Sequence, residues 1–389
     1  MAIILFDNQY RKKLFPLTLT RAVAGLRFGI LTIGERWATI SKQDVFVKTE
    51  EYLQPLYGGI PINAIWVDAT VITDDSLVQR ILTLNEEEAL FDEAGLIAGR
   101  SNALNDVYDS GVISTNLFKK VTTLSGIRRL EYSWQLFQWN DELLRKDFDL
   151  ITQGRVSQPI SSTNQFFQKE NIFIEEGAKV EFSILNSKTG PIYIGKNAEV
   201  TEGCMIRGSF ALCENSLVKM GAKIYGATIG PSCVVTGEIK NIIMTGYSNK
   251  AHDGYLGDSV IGEWCNLGAG TTNSNVKNTA GIINVWSEFD GKALPVSQKC
   301  GVIMGDYTRT AINTSINTGS VFGVCCNVFA DGLSPKVLNN FSWGTNDEKY
   351  LPGKALQDIS NWKNMKHLSL SVVEINMLKH LYDNFANTK

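Results

Sequence analysis

The chain has 389 residues, of which 44% are hydrophobic and 20% are charged, a composition typical of ordinary globular proteins with two or three domains. Its net charge of −3 gives no reason to expect nucleic acid as a partner. The amino terminus has an apolar run of five residues, too short for a signal peptide, and no later stretch has the roughly 18 apolar residues of a membrane span. We therefore expect a cytoplasmic protein without a membrane partner.

The seven cysteines all lie between residues 204 and 326, and no two have the C-x-x-C spacing of metal or redox motifs. An odd number with irregular spacing is typical of reduced thiols that fill small spaces in a core. We expect structural cysteines, with a catalytic cysteine as the alternative.

Residues 1–165 have the mixed pattern of an α/β domain. The apolar runs AIILF and AIWVDATVI predict strands, whereas SLVQRILTL and NDELLRKDF have helical spacing. The polar segment SQPISSTNQ at 157–165 contains a proline and predicts a linker.

Beyond this segment, apolar residues recur at a spacing of six. A six-residue period fits neither an α-helix nor a free-standing strand, and it is typical of a left-handed parallel β-helix built from hexapeptide repeats. Each repeat would form one side of a triangular coil, with glycine or asparagine at the corners. Chance alternation in a β-sandwich is the alternative. The longest unbroken series is Ile194, Val200, Ile206, Leu212, Val218 and Ile224, and the spacing returns at Met304, Thr310, Ile316, Phe322 and Val328.

Two stretches, 236–259 and 276–301, interrupt the period, and we predict that both are loops that leave the β-helix. The tail from about residue 346 contains SVVEINMLKHLYDNF, whose spacing predicts a helix that covers the open end of the β-helix. His367 and His380 fall in this tail and are expected to be surface or packing residues. The expected domains are therefore 1–165, 166–345 and 346–389.

His252 lies in the first of these stretches, in the segment KAHDGYLGDSVIGEWCNLGAGTTNSN at 250–275. A histidine exchanges protons near neutral pH, and this one lies beside glycines and a group of amide, hydroxyl and acidic side chains. The segment is thus either a catalytic site or a loop on a repeat scaffold.

The residues from 240 to 275 resemble the acetyltransferase half of the bifunctional N-acetylglucosamine-1-phosphate uridyltransferase/glucosamine-1-phosphate acetyltransferase family. The shared pattern is Lys240, eleven residues, His252, two residues, Tyr-Leu-Gly-Asp at 255–258, and Asn-Leu-Gly-Ala-Gly-Thr at 266–271. MGDYTRTAINTSINTGSVFG is similar to the last coils of that family. The resemblance implies acetyl-CoA-dependent N-acetylation of a hexosamine 1-phosphate, in a homotrimer with sites at subunit boundaries.

The resemblance also implies a role for each matched residue. His252 would be the general base that takes a proton from the amino group as its nitrogen attacks the thioester. Backbone N–H groups would stabilise the oxyanion, with Ala269 as a candidate donor. An arginine that holds the sugar phosphate in the family falls on Ala222, so Lys223 or Lys219 is the expected substitute. The remaining expected contacts are Lys240 for phosphate, Tyr255, Asn266 and Asn275 for the acceptor, and Ala269, Gly270, Ala311 and Asn313 for acetyl-CoA.

KLFPLTLTRAVAGLRFGILTIGERW resembles the opening of sugar-1-phosphate nucleotidyltransferases, which run G-x-G-T-R-L-x-P-L-T. Residues 13–18 match the second half, whereas residues 8–12 replace the glycines whose amides wrap a nucleotide triphosphate. Nucleotidyl transfer also needs Mg²⁺, usually held by carboxylates. The resemblance makes Arg11, Lys12, Lys13 and Arg21 the expected nucleotide or phosphate contacts and Asp68 the expected metal ligand.

Three hypotheses follow. The first is a two-site enzyme of amino-sugar nucleotide synthesis, with N-acetylation at the β-helix and nucleotidyl transfer from UTP or another triphosphate at the amino-terminal domain. The second is a single-activity acyltransferase whose amino-terminal domain only binds a nucleotide sugar. The third is a non-enzymatic assembly scaffold.

Overall fold

The computed structural model describes residues 2–108, 113–346 and 348–386. The amino-terminal domain is built on a mixed six-stranded sheet with the order β2-β1-β3-β5-β4-β6. The predicted strands at AIILF and AIWVD and the predicted helices in SLVQRILTL and NDELLRKDF are confirmed. The strands are β1 (Ala2–Phe6), β2 (Val45–Lys48), β3 (Ala64–Asp68), β4 (Glu88–Asp92), β5 (Gly95–Arg100) and β6 (Lys120–Thr123); the helices are α1 (Ile33–Ser41), α2 (Asp75–Leu82), α3 (Leu104–Val107) and α4 (Gln135–Thr152).

Residues 165–338 form a parallel β-solenoid of about ten turns, as the six-residue period predicts. Its strands stack in register on three faces, and the longest strands bend through the corner between faces 1 and 2. Face 1 contains residues 165–167, 184–186, 205–207, 223–225, 238–240, 255–257, 272–273 and 315–316. Face 2 contains residues 172–174, 192–194, 210–212, 227–229, 242–244, 259–261, 302–304, 320–322 and 337–338. Face 3 contains residues 179–180, 199–200, 217–218, 234–235, 249–250, 266–267, 309–310 and 327–328.

The residues of the six-residue series point inward and form the core of the solenoid. All six members from Ile194 to Ile224 are buried, and so are the five from Met304 to Val328. Asparagines at corners, such as Asn197 and Asn215, have φ angles of 55° and 56°, the left-handed conformation that a tight corner needs. Each coil therefore buries the apolar side chains of its neighbours, and stability accumulates along the axis.

The prediction that 236–259 leaves the β-helix is wrong. The chain there continues through the strands Glu238–Gly246, Asn249–Lys250 and Tyr255–Glu263. The period is lost because the coils change length: Lys223 pairs with Glu238, fifteen residues later, and Glu238 pairs with Tyr255, seventeen residues later. The corners of these coils contain fewer residues, while the strands remain stacked in register.

The second interruption does leave the solenoid, as an antiparallel hairpin of strands Ile283–Ser287 and Lys292–Ser297. Its apolar residues Ile283 and Val285 join a hydrophobic cluster that contains Ile243 and Val260 of face 2 and Phe137 of α4. The amino-terminal domain thus packs along face 2, with α4 lying against the strands. One continuous core joins the two domains.

The carboxy-terminal segment forms two helices, α5 (Pro352–Asn364) and α6 (Val372–Phe385). The sequence predicts the second, whose N-cap Ser371 and Glu374 form a capping box. Both helices pack on Tyr307 and Phe341 of the last coils and on Leu53 of the amino-terminal domain. Within the described parts of the chain, no helix is long and apolar enough to cross a membrane.

All seven cysteines are buried and free, which confirms their interpretation as reduced core residues. Burial raises the pKa of Cys233 to about 12, so this thiol stays protonated at neutral pH.

Candidate active site

His252 lies at the corner where the chain passes from face 3 to face 1, between the strands Asn249–Lys250 and Tyr255–Glu263. Its side chain is exposed. It lines a cleft of about 360 Å³ together with Lys219, Met220, Thr236, Asp253, Ala269 and Gly270. The structure therefore brings His252 together with two residues that the sequence assigns to acetyl-CoA.

The four expected acetyl-CoA contacts follow one edge of the solenoid. The Asn313 N–H donates to the Ala269 carbonyl at 2.6 Å, which joins the corner at 269–270 to the corner at 311–313. Gly270 has a φ of +73°, and a Cβ there would lie 2.1 Å from the Asn313 Oδ1 atom. Its φ and the contact with the Asn313 side chain both favour glycine at 270, so stacking of adjacent corners is a structural reason for this residue type.

The expected phosphate contacts Lys223 and Lys240 are both exposed on face 1, on neighbouring coils. Lys223 is in register with Glu238, and Glu238 is in register with Tyr255. Ala222 is fully buried, so a side chain at that position points into the core and cannot reach a substrate. Lys219 lies elsewhere, in the His252 cleft, where its Nζ donates to the Ala251 carbonyl at 3.1 Å.

Tyr255 and Asn275 form part of one polar network on face 1. The Asn275 Nδ2 donates to the Tyr255 hydroxyl at 3.0 Å and to the Asp258 Oδ2 at 2.5 Å. The Asn241 Nδ2 donates to the Asp258 Oδ1 at 2.7 Å, so Asp258 holds two asparagines at once. Burial, and then the Asp258 charge, raises the pKa of Tyr255 to about 12, which keeps the phenol protonated.

Asp258 and Asn241 have no role in the predictions from sequence, although Asp258 belongs to the quoted Tyr-Leu-Gly-Asp motif. Asp258 is 5% exposed and has a φ of 46°, an uncommon conformation for a residue other than glycine. Its place in the Tyr-Leu-Gly-Asp motif is the sequence signal that could have identified Asp258. Nothing in the sequence indicates its partner Asn241.

Asn266 is not brought together with Tyr255 and Asn275 within one chain. It lies on face 3, in register with Asn249 and Arg309, and its Oδ1 accepts from the Asn249 Nδ2 at 3.5 Å. Its expected role as an acceptor contact therefore has no geometric support from a single subunit.

Two of the expected nucleotide contacts are buried structural residues. The Arg11 Nε lies 3.1 Å from the Asp7 Oδ2, and the Arg11 side chain is 2% exposed. The Arg21 guanidinium contacts the Asp306 carboxylate and lies 3.0 Å from the Glu263 Oε1, which joins the amino-terminal domain to the solenoid. Both side chains are paired with carboxylates inside the protein, and Arg11 also lines the cleft that contains Lys12, so the nucleotide-binding role of these arginines stays a prediction.

Lys12 and Lys13 have different surroundings. Lys12 is exposed and lines a cleft of about 640 Å³ with Arg11, Glu50 and Tyr52, and α6 contributes His380 to the same cleft. The His380 ring stacks on Tyr52 at a centroid distance of 4.4 Å, which agrees with a packing role. The Lys13 ammonium lies among aromatic rings, at 4.8 Å from the centroid of Tyr10, 5.0 Å from that of Tyr132 and 5.4 Å from that of Phe289.

Asp68 does not have the surroundings of a magnesium ligand. Its Oδ1 accepts from the Thr70 N–H and hydroxyl, and its Oδ2 accepts from the Asn8 amide at 2.6 Å and from Arg129. Arg129 also binds Asp92 at 2.9 Å, so one guanidinium is shared by two carboxylates. Among the residues that the structure describes, no group of three or more His, Cys, Asp or Glu side chains is placed to hold a metal. The prediction that Asp68 holds Mg²⁺ is therefore not supported by the residues around it.

Comparison with known proteins gives a family match in the amino-terminal domain and partial sequence matches to bifunctional proteins. Residues 3–156 match the family described as "Sugar nucleotidyl transferase". The bifunctional protein GlmU of Methanococcus maripaludis (strain C5) is 27% identical over 208 residues, which cover 51% of this chain and 44% of that protein. GlmU of Methanocaldococcus jannaschii is 34% identical over 96 residues, which cover 25% of this chain and 23% of that protein.

Among solved structures, the UDP-N-acetylglucosamine acyltransferase of Francisella novicida covers 59% of this chain and 90% of its own, with 11% identity and a TM-score of 0.31. The chain matches less than half the length of the GlmU proteins named above. The chain is thus similar over part of its length to bifunctional GlmU proteins, its residues 3–156 match the sugar nucleotidyl transferase family, and a parallel β-helix follows them.

Proposed function

We propose that the protein is a transferase of amino-sugar nucleotide synthesis that acetylates the amino group of a hexosamine 1-phosphate from acetyl-CoA. The observation that carries the proposal is the shared cleft of His252 with Ala269 and Gly270 at the corner between faces 3 and 1. The Tyr255–Asn275 network, which would supply acceptor contacts, begins three residues after His252 and extends over face 1.

His252 would take a proton from the acceptor nitrogen as that nitrogen attacks the thioester carbonyl carbon. The new C–N bond forms, the C–S bond breaks, and the proton passes from the imidazole to the leaving CoA thiolate. The Ala269 N–H is the proposed donor to the oxyanion, in a corner where glycines on both sides let the thioester approach the backbone.

The direct test is CoA release measured with acetyl-CoA and glucosamine 1-phosphate, together with loss of the free amine. Turnover that requires both substrates supports the proposal. CoA release at the same rate with and without the amino sugar would contradict it.

The polar network on face 1 gives a prediction about the acceptor. Asn275→Ala removes the donor to both Tyr255 and Asp258, so we expect the KM for the amino sugar to rise about tenfold, the equivalent of one hydrogen bond of about 1.4 kcal/mol. The KM for acetyl-CoA should stay within about twofold. Asn85→Ala, which removes an exposed amide donor to Glu88 in the amino-terminal domain, is the control and should alter neither value. Equal rises in both KM values would contradict an acceptor role.

We further propose that the amino-terminal domain transfers a nucleotidyl group from UTP or another triphosphate to the sugar 1-phosphate. Its match to the sugar nucleotidyl transferase family supports this, as does the exposed Lys12 in the 640 Å³ cleft. No step is assigned to a metal on Asp68. The test is pyrophosphate release from UTP with N-acetylglucosamine 1-phosphate and added Mg²⁺.

The hydrogen bonds of Asp68 favour a second candidate, in which the domain only binds a nucleotide or nucleotide sugar. Both oxygens of this carboxylate, the expected metal ligand, are bound by Thr70, Asn8 and Arg129. Calorimetric binding of UDP-N-acetylglucosamine without pyrophosphate release would select this candidate over nucleotidyl transfer.

We extend the proposal to a homotrimer. Apolar side chains on face 1 are exposed in the single chain, with Phe166 43%, Met205 55% and Tyr225 41% accessible, and a second copy would cover them. Light scattering measures the mass of the assembly directly.

A further inference from the structure

The inward position of face 3 is occupied by an unusual residue in the coil of His252. Val200, Val218 and Val235 are stacked in register, and the next residue in this column is Lys250. Leu267 restores an apolar side chain on the following coil. The Lys250 side chain is fully buried, in a column whose other side chains, apart from Thr310, are aliphatic. A buried ammonium is costly, so this lysine calls for an explanation beyond packing.

The partners of the ammonium are the carbonyls of the corner itself. The Lys250 Nζ donates to the His252 carbonyl and, at 2.7 Å, to the Asp253 carbonyl. Burial lowers the pKa of Lys250 to about 8, while the nearby Asp253 charge opposes the change. At neutral pH the group is therefore mainly charged, and it is solvated by backbone oxygens instead of water.

Other groups also donate hydrogen bonds to the carbonyls of residues 251–253. The Lys219 Nζ donates to the Ala251 carbonyl at 3.1 Å, and the Gly270 N–H donates to the Asp253 carbonyl at 3.1 Å. The carbonyls of residues 251, 252 and 253 thus all accept hydrogen bonds. Lys250 binds the last two of them from inside the solenoid. Because the His252 imidazole is exposed, the backbone of this corner is what sets its direction.

We propose that Lys250 is a positioning residue for His252, which acts by holding the carbonyls of the corner from within the core. The inference rests on the proposed acyl transfer at His252. Lys250 does not touch the substrate cleft, so its removal should change the orientation of the base and leave substrate binding intact. A misplacement of a catalytic group by about 1 Å can cost on the order of 10²-fold in rate.

Lys250→Met tests this, because methionine has a similar length, lacks a donor and suits an apolar column. We expect a folded protein whose kcat for CoA release falls by about 10²-fold, with the KM for acetyl-CoA and for the amino sugar within about twofold. Lys250→Gln, which keeps a neutral donor, should retain an intermediate kcat. Val200→Ala, three coils away in the same column, is the control: it should lower stability and leave kcat unchanged.

A second measurement follows the corner directly. Hydrogen exchange of a peptide that contains Gly270 reports on the bond to the Asp253 carbonyl, and we expect faster exchange in Lys250→Met than in the wild type. An active wild type with unchanged kcat in Lys250→Met overturns the proposal. If the wild type shows no acyl transfer, the proposed function fails, and unchanged Gly270 exchange then also overturns the ordering of the corner by Lys250.

Discussion

Replacing His252 by asparagine is expected to lower kcat for CoA release by about 10²- to 10⁴-fold, the usual contribution of a general base. An amine must lose a proton as it attacks the thioester, and the imidazole is the side chain in this cleft proposed to take that proton. Asparagine keeps a polar side chain of similar width but cannot take the proton. Because His252 is exposed, the stability of the variant should match that of the wild type within about 0.5 kcal/mol.

The matched control is His367→Asn. His367 is also exposed, and its φ of 57° is one that asparagine tolerates, so the same chemical change is made away from the cleft. Initial rates of CoA release, measured at saturating concentrations of both substrates, should show wild-type kcat for this variant. A His252→Asn enzyme with more than about a tenth of the wild-type kcat would exclude the imidazole as the base.

The solenoid was predictable because its rule is local. Each six-residue unit places one side chain inward, and the series from Ile194 to Ile224 follows that rule with no information from distant residues. The rule fails between 236 and 259, where coils of fifteen and seventeen residues shift the phase although the strands remain stacked. A six-residue period in the sequence therefore indicates coils of equal length, but it gives no indication of a coil with fewer residues.

The candidate site has a different kind of signal in the sequence, since His252, Tyr255 and Asn275 belong to a continuous motif that resembles a known family. Lys250 lies in the same segment, but its role has no signal in the sequence, because only the structure shows that its side chain points inward. Asn241, one of the two partners of Asp258, is likewise not among the matched residues. The direction of a side chain and the residues that it contacts depend on how the coils stack, and a sequence motif contains neither kind of information.

The contacts between the amino-terminal domain and the solenoid could not be predicted from the sequence. Arg21 was expected to bind phosphate from its place near a nucleotidyltransferase-like motif, yet its partner Asp306 lies 285 residues away. The packing of this domain along face 2 has no signal in composition or spacing. Charged residues near a motif are therefore read as ligand contacts until the structure shows which of them face another domain.

Arg21→Met is expected to lower the free energy of unfolding by about 3–5 kcal/mol, because it leaves the Asp306 charge buried without its partner. The Arg21 and Asp306 side chains are 9% and 4% exposed, and Asp306 also accepts from the Thr20 hydroxyl at 2.7 Å and from the Glu263 N–H at 2.8 Å. Urea unfolding followed by tryptophan fluorescence measures the change.

Two variants separate the buried pair from the general effect of losing an arginine. Arg145→Met breaks an ion pair with Asp141 whose side chains are 44% and 61% exposed, and it should cost no more than about 0.5 kcal/mol. Adding Asp306→Asn to Arg21→Met removes the unpaired charge and should recover part of the loss. If Arg21 bound phosphate instead, Arg21→Met would lose pyrophosphate release at unchanged stability, and that result would reverse the structural role assigned to it. The stability of the single variant thus decides whether this arginine serves a substrate or the interface between the two domains.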